Sequence, residues 1–573
     1  MLGDSAVRRS ARESMLRDRK ADEGMPLRKP TRKCVLAVFL LAVACSLALP
    51  GWIGAGDAPR PAFGFADDLT KYADDGGDVA LDLFQDIGVS QNRVSVFWDP
   101  ANPDVIDEQE FLDRLVPQAE AHGVTLVFAV YSRKARGYTE RPGAMNEFAS
   151  FAAEVAQRYP SVTQFVIGNE PNQPRFWQPQ FAKNGSVASA AAYTKLLARS
   201  YDALKAVNPA ITVFGVGLSP RGNDRPKAPS NASVSPVRFI AAMGKAYRAM
   251  DRDAPLMDAL SIHVYPNRNT DAPGKGYFWP GIGFPNLDRL KQAVWDAFHD
   301  TAQPVFAETG DGSLASDGAD GATPLTLKID EIGWQVKVGS DRSALYSGKE
   351  NVPPVSEVKQ ATYYRRVVEY MLCDESIEAA LFFHLKDESD LARFQSGVLA
   401  ADGTPRASYE AVKEAVRGEC PGARTSWKHR DDVIGAKVRF AVRKKARRGA
   451  WSMQFEAQEA FAWRAGLIKV SARSRSASDA RLRLAIAEIL ITDRRAQARS
   501  SRSYDSLVWL LKGEGRAYWK KRLPSFKNNI RAGTYVYAVV LSAATNGERS
   551  SVFMSAPFRI GDTRAGATAR ASG

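Results

Sequence analysis

Between Phe63 and Cys420 of this 573-residue chain, short apolar runs alternate with longer stretches whose apolar positions recur at helical spacing. The runs Arg93-Val94-Ser95-Val96-Phe97-Trp98 and Val124-Thr125-Leu126-Val127-Phe128-Ala129-Val130-Tyr131 read as buried strands. Between them Phe111, Leu112, Leu115, Val116 and Ala119 fall on one helix face, with Asp107 as the expected N-cap and Gly123 as the stop. Further strands are expected at 165–168, 211–216, 259–265, 304–308 and 379–384, with helices around 193–207, 237–250, 287–298, 358–372 and 409–416. With Phe63-Gly64-Phe65 as the first strand, eight strand and helix pairs occupy roughly 360 residues, the pattern of a (β/α)8 TIM barrel whose active site lies at the C-terminal strand ends. An open doubly wound sheet is the competing arrangement, but no glycine-rich phosphate loop follows the first strand. Two long loops on the predicted catalytic face, 266–285 with Tyr277, Phe278 and Trp279, and 309–354 with Trp334, are expected to wall a cleft.

After Cys420 the pattern changes. Alternation in Trp451-Ser452-Met453-Gln454-Phe455, and again over 533–540 and 551–554, predicts the short strands of an immunoglobulin-like β-sandwich. The charge changes with it: residues 421–573 hold 31 Lys and Arg against 11 Asp and Glu, a net +20 within a chain of net +14. Such a surface attracts polyanions, for which an acidic cell-wall polymer is one candidate. The densest run, Arg443-Lys444-Lys445-Ala446-Arg447-Arg448, lacks a recognised nucleic-acid-binding motif, so no specific nucleic acid is expected as a partner.

The N-terminus has its own composition. Residues 1–33 carry ten Lys and Arg against five Asp and Glu, and 34–49 carry no charge at all. A core this short after a basic stretch reads as a signal peptide, with an uncleaved membrane anchor as the alternative. The expected divisions are therefore a basic N-region and signal segment (1–56), a barrel (57–420), a basic sandwich (421–561) and a disordered tail (562–573), in a secreted or cell-surface protein. Cys34 and Cys45 lie in the signal segment, which leaves Cys373 and Cys420 as an even set in an oxidising compartment, and they are expected to pair.

The candidate chemistry comes from strand ends. Phe165-Val166-Ile167-Gly168-Asn169-Glu170-Pro171 and Pro304-Val305-Phe306-Ala307-Glu308-Thr309-Gly310 are each an apolar run that delivers one glutamate. Two carboxyl groups about 5 Å apart, one nucleophile and one acid and then base, are what a retaining glycosidase uses. Gly168-Asn169-Glu170-Pro171 and Ala307-Glu308-Thr309-Gly310 resemble the fourth- and seventh-strand motifs of clan A glycoside hydrolases, families 5 and 39 among them, and the resemblance spans residues 63–420.

That resemblance implies Glu170 as acid/base, Glu308 as nucleophile and Asn169 as a partner of the sugar 2-hydroxyl. His263-Val264-Tyr265 resembles the clan's His-x-Tyr, and alternation puts both side chains on the same side of the strand. Tyr265 would then hold the nucleophile carboxylate, His263 would contact sugar or carboxylate, and Arg93 would keep the nucleophile ionised. The eighth strand departs from the clan, with Phe382-Phe383-His384 where a tryptophan floor is common, so His384 or Phe383 is the expected substitute. Trp98, Trp177, Trp279 and Trp334 are candidate stacking platforms. The five scattered histidines show no metal-ligand spacing, and neither metal nor cofactor is expected. The expectation is a retaining hydrolase of β-linked glycosides or polysaccharides. The altered eighth strand keeps a second reading open, a weakly active or inactive surface protein that binds carbohydrate or mediates adhesion.

Overall fold

The computed structural model describes residues 60–309, 323–442, 451–470, 504–518, 520–523, 533–545 and 549–560. The signal segment, the basic run at 443–448 and the tail from 561 lie outside the described residues. Eight parallel strands close into a barrel in chain order: β1 (Ala62–Ala66), β2 (Gln91–Trp98), β3 (Thr125–Ser132), β4 (Gln164–Ile167), β5 (Thr212–Leu218), β6 (Ala259–His263), β7 (Thr326–Ile332) and β8 (Ile377–Phe383). A helix follows each: α1 (Asp78–Ile87), α2 (Gln109–Ala121), α3 (Ala144–Arg158), α4 (Ala188–Val207), α5 (Pro236–Arg248), α6 (Leu287–Phe298), α7 (Glu357–Met371) and α8 (Ala407–Ala415). Helix α2 starts past the expected cap. Its N-cap position is Glu108, whose carboxylate instead receives Lys71 Nζ at 2.9 Å and Arg133 Nη2 at 2.7 Å.

The seventh strand is not the segment the sequence pattern suggests. Residues 304–308 form no barrel strand; they lie beside the start of β7, where the Leu325 amide donates to the Val305 carbonyl. The real β7 is Thr326-Leu327-Lys328-Ile329-Asp330-Glu331-Ile332, inside what reads as a long loop. Alternation sends Leu327 and Ile329 outward into the helix-facing core, and turns Lys328 and Asp330, both fully buried, into the barrel. Charged inward positions remove the apolar run by which a buried parallel strand is usually recognised.

Inside the barrel, Val127, Ala129, Val166, Phe214 and Ala259 of β3 to β6 form a small apolar cluster. Strands β1 and β2 approach so closely that a Cβ on Gly64 would lie 1.8 Å from the Gln91 carbonyl oxygen, so only glycine fits there. The disulfide expected between Cys373 and Cys420 is present, with Cα atoms 4.9 Å apart, and it ties the end of α7 to the chain beyond α8.

The C-terminal strands are β9 (Lys437–Val442), β10 (Trp451–Glu456), β11 (Phe461–Val470), β12 (Tyr504–Gly515), β13 (Lys521–Leu523), β14 (Gly533–Ala543), β15 (Ser550–Met554) and β16 (Phe558–Ile560). They form antiparallel sheets in the orders β13-β10-β9 and β12-β11-β14-β15, with β16 also on β14. Met453 and Phe455 of the first sheet pack with Phe461, Trp463, Leu467, Tyr537 and Val539 of the second, the face-to-face core of a sandwich. Arg549 joins this layer to α6, donating from Nε to Asp296 Oδ1 at 2.9 Å and from Nη2 to Glu459 Oε2 at 2.8 Å.

Candidate active site

A cleft of about 810 Å3 opens at the C-terminal ends of the strands, and Glu170 lies in its wall. The chain leaves β4 through Gly168, at φ 87°, a conformation glycine adopts without strain. Tyr193 of α4 packs behind that turn and donates its hydroxyl to the Ile167 carbonyl at 2.6 Å. Glu170 itself has φ 39°, uncommon for a residue with a side chain, and its amide donates to the Gly217 carbonyl at 2.8 Å. A strained conformation held from two sides fixes where this carboxylate points.

Glu308 is not in the cleft. Its carboxylate is taken up by His429 and, at 3.8 Å, by Lys428 Nζ, both on the segment leading to the C-terminal sheets. The adjoining Thr309 pairs with Trp427 of the same segment. The acid that faces Glu170 is Glu331 at the end of β7. Tyr265 donates its hydroxyl to Glu331 Oε2 at 2.8 Å, and Arg93 donates from Nη1 to Oε1 at 3.1 Å. His263 Nδ1 lies 3.0 Å from Glu170 Oε1 and 3.3 Å from Glu331 Oε2, so those two oxygens are separated by at most the sum of the two distances. The signal for Glu331 was present in the chain as Asp330-Glu331 closing an alternating run.

Two neighbouring acids both turn inward because the register slips. Ile262 pairs with Ile329 but His263 with Glu331, and a second irregularity falls between Ile329 and Ile332 on the β8 side. This bulge frees Asp330 to point into the barrel and Glu331 into the cleft. Asp330 Oδ2 lies 3.0 Å from Arg93 Nε and 3.7 Å from His263 Nε2. Arg93 Nη2 completes the set by donating to Asn169 Oδ1 at 2.7 Å, which orients the Asn169 amide.

The charges shape one another. Burial disfavours the His263 imidazolium, but Glu331, Asp330 and Glu170 outweigh it and push the ring up to about 10. Burial likewise opposes the Arg93 charge and is overcome by Asp330 and Glu331, which hold the guanidinium above its ordinary range. For Asp330 burial raises and the cations lower; Arg93 and His263 prevail and keep it below the usual carboxylate range. Tyr265 is pushed well above the ordinary phenol by burial and then by Glu331, so it stays a donor. Lys328, one layer deeper, is pulled down to about 8 by burial, partly offset by Glu378 and Asp330.

The aromatic wall comes from β8 and the loop after it. Phe383 stacks on His384 at 4.0 Å between ring centres, and Phe394 meets Phe383 edge-on at 5.0 Å. His384 has φ 73° and lines the cleft, as does Phe176 from the loop after β4. Among the described residues, none of 266–285 lines the cleft, and from 309–354 only Glu331 does. Trp98 and Trp177 are core residues, not platforms: Trp98 is fully buried on the helix-facing side of β2 with Val94 and Val96, and Trp177 stacks on Tyr138 at 4.5 Å. Trp279 packs against the barrel core beneath Arg238, and Trp334 is buried, donating Nε1 to the Asp271 carbonyl at 2.8 Å.

No protein-family model matches the chain, and no curated protein is similar to it. Among solved structures, it is similar to a family 39 glycoside hydrolase from Bacteroides cellulosilyticus WH2, at 16% identity over 82% of this chain and 81% of that one, TM-score 0.42. It is also similar to a GH39 β-xylosidase from Caulobacter crescentus, at 14% identity over 82% and 96% of the two chains, TM-score 0.39. A third is GH5_18 from Streptomyces cattleya in complex with GlcNAc, at 15% identity over 66% and 84%, TM-score 0.41.

Proposed function

We propose that the chain is a retaining hydrolase of β-linked glycosides or polysaccharides, with Glu170 as acid/base and Glu331 as nucleophile. The observation that carries this reading is His263 Nδ1, within 3.3 Å of one oxygen of each carboxylate. It limits that oxygen pair to the sum of the two distances, a range that includes the separation of about 5–5.5 Å between the carboxyl groups of retaining enzymes. Glu170 gives its proton to the glycosidic oxygen as that bond to the anomeric carbon breaks, and a Glu331 oxygen bonds to the same carbon. Glu170 then takes a proton from water as the water displaces Glu331. Arg93 and Tyr265 hold the two Glu331 oxygens for in-line attack. Asn169, its oxygen engaged by Arg93, presents its amide hydrogens to the sugar 2-hydroxyl. Phe383, His384 and Phe394 form the apolar face against which the ring stacks. The uncharged 34–49 run and the Cys373–Cys420 disulfide, a bond that persists in oxidising compartments, support an exported enzyme.

The test is hydrolysis of a panel of aryl β-glycosides and β-linked polysaccharides by the full chain and by Glu170→Ala, Glu331→Ala and Glu308→Ala. Loss of turnover in the first two, with azide restoring Glu331→Ala and Glu308→Ala retaining activity, is the expected result. Loss in Glu308→Ala with retention in Glu331→Ala overturns the assignment.

A further inference from the structure

We propose that Asp330, which does not line the cleft, is the counter-charge that lets Glu170 hold its proton beside two cations; the proposal rests on the hydrolase reading above. The difficulty it resolves is electrostatic. An acid catalyst must be protonated before substrate arrives, yet His263 Nδ1 lies 3.0 Å from Glu170, and Arg93 engages both Asn169 and Glu331 beside it. Positive neighbours favour the ionised carboxylate.

His263 is cationic on geometric grounds. Its Nδ1 lies 3.3 Å from Glu331 and its Nε2 3.7 Å from Asp330, the two acids that stay ionised whatever the state of Glu170, so a neutral ring would present a lone pair to one of these carboxylates. With Arg93 this makes two positive charges, and Glu331 supplies one negative. Asp330 supplies the other. Arg93, His263, Glu331 and Asp330 then sum to zero, and Glu170 is free to be neutral. Both Asp330 oxygens are buried without an aligned hydrogen bond, so their compensation is the charge of Arg93 and His263.

The groups around the set do not disturb this balance. Below it, Lys328 Nζ faces Glu378 at 3.9 Å and donates to the neutral amides of Gln91 and Gln164. Beside it, Tyr131 and Tyr265 are uncharged, and Asp68 is matched by Lys71 at 3.7 Å. The bulge in β7 is what makes the arrangement achievable, since it places consecutive acids on two levels, Glu331 toward substrate and Asp330 beneath.

Asp330 is therefore a positioning residue, and Asp330→Asn keeps its shape while removing its charge. The alkaline limb of the kcat/KM profile moves to lower pH by about one unit or more, with kcat at pH 7 down about tenfold or more and KM within about twofold. A variant whose pH profile matches the wild type overturns the proposal. The second measurement needs no variant: nitrogen-detected NMR of His263 in the wild-type protein, expected to show both ring nitrogens protonated at pH 8. A neutral His263 at pH 7 overturns the proposal even if the enzyme is active, and leaves the hydrolase reading intact. A cationic His263 in a protein that hydrolyses nothing on the panel overturns it the other way, through the reading on which it rests.

Discussion

Replacing Arg549 with alanine tests what joins the barrel to the C-terminal sheets. Its guanidinium meets Asp296 of α6 and Glu459 together, and the side chains of all three are almost wholly buried, at 6%, 4% and 3% exposure. Truncation leaves two buried carboxylates whose remaining donors among the described residues are Gln292 Nε2 at 2.9 Å and Thr545 Oγ1 at 3.0 Å for Asp296, and the Ile434 amide at 2.6 Å for Glu459. Breaking one buried ion pair by removing a partner costs about 3–5 kcal/mol. Losing one cation from two carboxylates belongs at the upper end, about 5 kcal/mol, a large part of the ~5–15 kcal/mol that stabilises a typical domain. Urea unfolding followed by tryptophan fluorescence at pH 7 reads the loss. A loss below about 1 kcal/mol would refute the reasoning. Asp296→Asn and Glu459→Gln added to Arg549→Met should restore much of the stability, because no buried charge is then left alone.

Two further outcomes follow from single contacts. Tyr265→Phe keeps the half-buried ring and removes the hydroxyl bonded to Glu331 at 2.8 Å; a hydrogen bond to a charged group is worth ~1.5–3 kcal/mol, so kcat/KM falls about 10- to 150-fold with the melting temperature nearly unchanged. Cys373→Ser opens the bridge that closes a 47-residue separation, a loss of about 2–4 kcal/mol that thermal melts with and without reductant should reproduce in the wild type.

Most of the barrel was legible because most of its strands are buried on both faces and so read as apolar runs. Val94, Val96 and Trp98 pack outward while Phe128, Val130, Phe165 and Ile167 do the same on the next two strands. The rule failed where the inward face carries charge, at Lys328 and Asp330, and it was misled by Phe306, an apolar residue 2% exposed in a segment that pairs with no barrel strand. Glu170, Asn169, Arg93, His263 and Tyr265 meet at one place as their strand positions suggested, whereas Glu308 was chosen from a strand that does not exist. Parity could have excluded Trp98: on β2 it shares a side with Val94 and Val96, and Arg93 marks the opposite one. No comparable signal separates Trp177 from a cleft residue, because its placement depends on Tyr138 and Phe148 of a different unit.

The barrel interior is divided, and the division explains why the site tolerates so much buried charge. On β3 to β6 the inward positions Val127, Ala129, Val166, Phe214 and Ala259 pack as hydrocarbon. On β2, β6 and β7 the inward positions are Arg93, His263, Lys328 and Asp330, each at or near full burial. An isolated ion at any of these places would cost several kcal/mol in desolvation. The cost is offset because opposite charges alternate with depth, from Asp330 to Arg93 and His263 and then to Glu331 at the mouth, while Lys328 beneath them faces Glu378. A ladder of this kind is intolerant of single neutralisation, since each member compensates two neighbours. The same property aims the catalytic carboxylates: they are held by a column of charges anchored in the barrel, not by the loops around the cleft.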